Sequence, residues 1–175
     1  VGSHWDMISG KSWMKIWEWD GAAWTDVSPG IEGALFSVDL VSGSEGYAVG
    51  SIYDSDTWKD YVKILRWDGA AWTDISPPGV EGTLKCIRML GPGEGLAIGM
   101  NYVDDSKTVL LRCGGGAWTD ISSADGGEYN ISPLSMTPTY LKQVGLLKDV
   151  SPDPKAVINF QMKKAVEGVA FLPFA

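Results

Sequence analysis

Two short stretches hold the side chains with the most chemical reach. One reads Tyr53-Asp54-Ser55-Asp56-Thr57-Trp58-Lys59-Asp60-Tyr61, the other Tyr102-Val103-Asp104-Asp105-Ser106-Lys107. Aromatic rings offer flat apolar faces for stacking, and neighbouring carboxylates accept hydrogen bonds, a pairing suited to a glycan or to a protein partner. Tyr53, Asp54, Asp56, Trp58, Tyr61, Tyr102, Asp104 and Asp105 are therefore the candidate ligand-binding residues. A solvated polar loop would carry the same residue types. If two of the carboxylates Asp54, Asp56, Asp104 and Asp105 faced each other at about 5 to 10 Å, they could instead cleave a glycosidic bond. The spacing Asp54-x-Asp56 lacks the glycine and distal glutamate of a calcium hand, so no metal is assigned.

Other chemistry lacks its residues. His4 is the sole histidine, which removes Ser-His-Asp and Cys-His nucleophiles and histidine-based metal sites. Cys86 and Cys113 have no CxxC neighbour and read as buried thiols. No catalytic residue and no cofactor is assigned.

The 175 residues suffice for one domain. Fourteen Lys and Arg against 22 Asp and Glu give a net charge of −8, which argues against nucleic acid as a partner. No apolar run approaches the roughly 18 residues of a membrane span. The opening Val1-Gly2-Ser3-His4 reads as a cloning remnant within a tag-like or irregular start, residues 1–12, and the sequence assigns no compartment. Twenty-two Gly and nine Pro beside 45% apolar residues suit an all-β domain cut by many turns.

Self-comparison reveals what must position the candidate residues. Trp19-Asp20-Gly21-Ala22-Ala23-Trp24-Thr25-Asp26 recurs 48 residues later as Trp67 to Asp74, then after 46 more as Cys113-Gly114-Gly115-Gly116-Ala117-Trp118-Thr119-Asp120. Glu45-Gly46-Tyr47-Ala48-Val49-Gly50 matches Glu94-Gly95-Leu96-Ala97-Ile98-Gly99. A period near 48 belongs to repeat arrays, and each unit reads as four antiparallel strands. In residues 35–40, Phe36, Val38 and Leu40 alternate with polar residues and are expected on a buried face. The Asp-Gly pairs supply a tight hairpin between strands three and four. Trp24, Trp72 and Trp118 are expected in the core, and Asp20, Asp68, Asp26, Asp74 and Asp120 as caps of turns and strand ends. The candidate ligand residues fall on the variable loop between strands two and three, where a repeat scaffold carries function.

The first two strands of the last unit are expected near the C-terminus, at residues 157–162 and 167–171, where Glu167-Gly168-Val169-Ala170-Phe171 repeats the strand-two signature. From Asp120 to Glu167 the chain runs 47 residues, against 20 from Asp74 to Glu94, an insertion of 27. It lies within residues 123–154 and includes a helix-like segment at 138–149. Residues 13–175 then make a single β-repeat domain of three units, closed by pairing the C-terminal strands with residues 14–19.

The succession Gly46-Tyr47-Ala48-Val49-Gly50, variable loop, apolar strand, Trp67-Asp68-Gly69-Ala70-Ala71-Trp72 and Ser76-Pro77 resembles β-propeller repeats of the kelch and Asp-box type. It is most similar to those of photosystem II stability factor-like and sialidase-like bacterial proteins, over residues 14–122 and 157–171. A sialidase Asp-box has one more residue between Asp and Gly, and a Thr before its Trp. The Trp-Asp-Gly-x-x-Trp motif also resembles small oligomeric propeller lectins. The resemblance implies propeller-like blades used for binding as readily as for catalysis. Propellers have four to eight blades, so three units imply a homodimer closing a six-bladed ring. A β-trefoil or β-prism would close within one chain; the ricin-type Gln-x-Trp signature is absent, since Gln143 and Gln161 are the only glutamines. The expected function is a non-catalytic binding module for a glycan or protein, with a glycoside-processing enzyme or a structural, assembly role as alternatives.

Overall fold

The computed structural model describes residues 1–103 and 107–122. The chain divides into two compact parts, Val1–Tyr129 and Asn130–Ala175, and all described residues belong to the first. That boundary falls inside residues 123–154. The insertion, the helix-like segment at 138–149 and the strands expected at 157–162 and 167–171 lie outside the described residues.

The described residues are all β, arranged in four antiparallel sheets. The second repeat unit is a four-stranded meander: β5 (Ala34–Ser42), β6 (Glu45–Asp54), β7 (Lys59–Trp67) and β8 (Trp72–Asp74). The third repeats it with β9 (Thr83–Gly91), β10 (Glu94–Asn101), β11 (Lys107–Gly114) and β12 (Ala117–Asp120). The first has two small sheets: β1 (Gly2–Asp6) with β2 (Lys11–Lys15), and β3 (Trp17–Trp19) with β4 (Trp24–Asp26).

Residues 1–12 are thus no irregular start. Gly2 pairs with Lys15 and Ser3 with Met14, as Gly50 pairs with Lys63 and Ser51 with Val62. Both partners shift by 48, so Gly2 and Ser3 of β1 hold the positions of Gly50 and Ser51 in β6. β1 therefore occupies the place beside Met14 and Lys15 that the closure by residues 167–171 would need.

Polar devices repeat with the strands. Asp20 Oδ1 accepts the amides of Ala22 and Ala23 at 2.7 Å each, and Asp68 Oδ1 those of Ala70 and Ala71 at 2.9 Å each. After strand four, Ser28, Ser76 and Ser122 accept the amides of Ile16, Ile64 and Leu110 at 3.0, 2.9 and 3.0 Å. Their own amides donate to Asp26, Asp74 and Asp120. The expected capping role of these aspartates is what the structure shows, and it satisfies backbone donors that would otherwise be stranded at strand ends.

Consecutive units pack face to face. Tyr47, Val49, Val62 and Ile64 of the second unit meet Leu84, Ile87, Met89, Val109 and Leu111 of the third in one core; Met14 and Ile16 meet Leu35, Ala48 and Leu65 in another. Each fully buried Val, Leu, Ile or Met side chain among them contributes about 1.5–3 kcal/mol. Strand one of the second and third units runs close against strand two, and glycine makes this possible: a Cβ on Gly50 would sit 1.8 Å from the carbonyl oxygen of Ala34, and one on Gly99 1.9 Å from that of Thr83. Strand one of the second unit also bonds the third, since Asp39 Oδ2 accepts the Met89 amide at 2.7 Å and Ser37 Oγ that of Ile87 at 3.4 Å.

Two core expectations need correction. Phe36, Val38 and Leu40 are exposed, although Lys85, Ile87 and Met89 hold the same positions one unit on; Leu40 is 61% exposed and Met89 8%. Ile87 and Met89 lie against the second unit, whereas the first has no described strand one to cover Val38 and Leu40. The repeated tryptophans follow the same gradient, from Trp118 at 9% exposure through half-buried Trp72 to Trp24 at 62%. Trp118 packs edge-on against Tyr47 of the preceding unit, with centroids 6.0 Å apart. Trp24 instead leans on Trp19 of its own hairpin at 5.3 Å. Repetition in sequence therefore marks equal position, while burial depends on the preceding unit.

Candidate functional site

The hairpin joining β6 to β7 carries five of the expected residues. Its strands pair to the end, Ile52 with Tyr61, Tyr53 with Asp60 and Asp54 with Lys59. Asp54 Oδ1 accepts the amides of Asp56 at 2.8 Å and Thr57 at 3.4 Å, a side-chain closure of the turn. These turn hydrogen bonds, that of the Asp56 amide foremost, hold the Asp54 carboxyl below the ordinary value. Tyr61 donates its hydroxyl hydrogen to Thr57 Oγ1 at 3.4 Å. Trp58 closes the turn at φ 58°, with its ring exposed.

Beside this hairpin lies a groove of about 610 Å³. Tyr53, Asp54 and Tyr61 line it, and Lys63, Asp74 and Glu32 add charge that sequence reasoning did not assign to a site. Lys63 Nζ meets Asp74 Oδ2 at 2.6 Å within the groove. Burial alone would raise the Asp74 carboxyl, but Lys63, then the Ser76 hydroxyl and amide, outweigh it and hold the group low. A sequence signal for this pair existed: Lys63 and Asp74 are eleven apart, as are Lys15 and Asp26 one period earlier. A lysine on strand three facing an aspartate on strand four is visible once the repeat is aligned.

The remaining expected residues stand elsewhere. Asp56 and Trp58 sit on the exposed tip of the hairpin and do not line the groove. Tyr102 belongs to the third unit, also outside the groove, and its ring centroid lies 5.7 Å from Lys85 Nζ, which sits 3.7 Å over the Phe36 ring. Asp104 and Asp105 lie outside the described residues. No group of three or more His, Cys, Asp or Glu side chains placed to hold a metal occurs among the described residues.

The first unit presents the same kinds of side chain at equivalent positions. Trp5 and Asp6 stand 48 residues before Tyr53 and Asp54, Trp13 before Tyr61, and Lys15 Nζ meets Asp26 Oδ2 at 2.9 Å. Asp26 is held at about 2 by the Ser28 hydroxyl, then by Lys15.

Comparison with known proteins touches a different part of the chain. The family Peptidase_M2, described as angiotensin-converting enzyme, matches residues 127–175. That stretch includes the residues read as strands at 157–162 and 167–171, and contains neither histidine nor cysteine. No solved structure matches the chain.

Proposed function

We propose that the repeat region is a non-catalytic binding module that takes a glycan in the groove beside the β6–β7 hairpin. The observation that carries this reading is the groove itself. Its volume of about 610 Å³ lies within the range of small-ligand sites, and two tyrosines flank a Lys63–Asp74 pair and the Asp54 carboxylate. Rings that stack and charges that bond hydroxyls are what a neutral sugar needs, and a net charge of −8 disfavours an acidic one. Two carboxylates held below their ordinary values weigh against a glycosidase, whose general acid needs a raised one.

The units themselves are propeller-like blades of the kelch or Asp-box kind. Their four-stranded meanders, stacked face against face, support blades over a trefoil or prism. A homodimer is the assembly that fits this reading, since three units fall short of the four to eight blades of a propeller. Light scattering should then give twice the 18.9 kDa chain mass; a clean monomer at micromolar concentration counts against it.

Titration calorimetry with cellohexaose, a neutral glycan with flat faces, tests the ligand. We expect Tyr61→Ala to weaken binding at this groove at least tenfold with little change in melting temperature, and Trp58→Ala to leave it unchanged. A full chain that ignores cellohexaose, or a Tyr61→Ala variant that loses none of the parent's binding phases, ends the glycan reading of this groove and leaves a protein partner as the alternative.

A further inference from the structure

We infer that the first repeat unit holds a second glycan site of the same class, built by Trp5, Asp6, Trp13 and the Lys15–Asp26 ion pair, so that one chain binds two neutral oligosaccharides. This rests on the reading of the β6–β7 groove given above. The β1–β2 hairpin reproduces the β6–β7 hairpin pair for pair: His4 with Trp13, Trp5 with Ser12 and Asp6 with Lys11 stand for Ile52 with Tyr61, Tyr53 with Asp60 and Asp54 with Lys59. The side chains follow the backbone. Trp5 and Tyr53 are both exposed, at 60% and 52%, while Trp13 and Tyr61 are both half-buried.

The polar part is held in the same way. Asp6 Oδ1 accepts the Ile8 amide at 2.9 Å and Oδ2 the Ser9 hydroxyl at 2.6 Å, as Asp54 accepts its own turn. Lys15 reaches across to Asp26 at 2.9 Å, as Lys63 does to Asp74. Outside the ion pair, Lys11 meets Glu32 at 2.6 Å, and Lys59 meets Glu81 at the same distance. Two hairpins 48 residues apart therefore offer an aromatic ring, a turn-locked carboxylate, a second ring and an ammonium–carboxylate pair in one order. Tryptophan presents a larger stacking face than tyrosine, so the first site is the tighter of the two.

The third unit shows what loss of the set looks like. Gly99 pairs with Val109 as Gly50 pairs with Lys63, so Val109 stands where the lysine would be. Tyr102 keeps the first ring, but Val103 takes the position of Asp54. The described positions of this unit therefore keep neither that carboxylate nor that cation, and among the described residues the full set occurs twice.

Cellohexaose titrated into the full chain reads the stoichiometry directly. The parent should bind two per chain. Trp5→Ala, at an exposed position, should melt like the parent, bind one per chain and lose the tighter phase; Tyr53→Ala should lose the weaker phase. Lys15→Met gives an independent reading through the polar half of the site and should weaken the tighter phase at least fivefold. A parent that binds one per chain, with affinity unchanged in Trp5→Ala and Lys15→Met but lost in Tyr53→Ala, overturns the second site and leaves the first reading standing. No binding by the parent overturns both.

Discussion

Trp118 and Trp24 share a motif position but not an environment, and they separate repetition from burial at the scale of one side chain. Trp118 is buried against Tyr47, and among the described residues its indole Nε1 is the buried side-chain polar atom without a hydrogen-bond partner. Truncation to alanine at Trp118 should cost about 3–5 kcal/mol, since an aromatic cavity opens in the core. Trp118→Phe should cost much less, because it also removes a buried unpaired donor worth about 1–3 kcal/mol. Trp24→Ala should fall below about 1 kcal/mol. Urea unfolding of the three variants checks the order, and equal losses at the two alanine variants would refute it. The capping aspartates were legible in the sequence, because Asp-Gly turns and strand-end aspartates act through local backbone geometry. The exposure of Trp24, Val38 and Leu40 was not, because it depends on what stands on the far side of a neighbouring sheet.

At the scale of elements, strand one of the second unit binds that unit to the third. Asp39 reaches from β5 to the Met89 amide on β9, with Arg88 Nη1 4.0 Å from the same carboxylate oxygen. Asp39→Ala should leave that amide unpaired at a cost of about 1–3 kcal/mol, whereas Asp39→Asn keeps an acceptor and should recover most of it. Hydrogen exchange at Met89 distinguishes this from general loosening: its amide should exchange faster in the alanine variant, while that of Ile98 in β10 should change little. Equal acceleration at both amides would mean that the bond to Asp39 does not join the units. The strands of the second unit were readable to within a few residues, since alternation, Asp-Gly turns and period agreed. The β1–β2 hairpin was missed because Val1-Gly2-Ser3-His4 reads as a cloning remnant, although Gly2 and Ser3 align with Gly50 and Ser51. The Lys63–Asp74 pair was missed for a related reason: an eleven-residue separation becomes a contact only when strands three and four are laid side by side.

Across the whole described region, charge sets the pH limits of the fold. Asp6, Asp20, Asp26, Asp54, Asp68 and Asp74 are all held below the ordinary carboxylate value of 3.8, Asp26 at about 2. A depressed carboxyl stabilises the fold above its unfolded value and loses that contribution as pH falls through its folded one. The melting temperature should therefore hold down to about pH 4 and fall between 4 and 2. Asp26→Asn should flatten part of that slope, and a melt indifferent to pH across this window would refute the assignment. At the alkaline end the sign reverses: burial, then the bond to Glu45, raises the Tyr47 hydroxyl from 10.0 to about 12, so its contribution fades as pH climbs through that interval.

Five of the nine tryptophans, Trp5, Trp13, Trp17, Trp19 and Trp24, belong to the first unit, whose sheets among the described residues are two-stranded where those of its neighbours are four-stranded. In an array stabilised by nearest neighbours, a unit with shorter sheets should open before those with longer ones. The optical probe is therefore concentrated in the part that should melt first. Tryptophan emission should report an earlier transition than far-ultraviolet circular dichroism, which averages over all strands, and the gap between the two curves measures how loosely that unit is coupled to the rest. Coincident curves would mean that the first unit unfolds together with the others, with its short sheets held as firmly as the long ones.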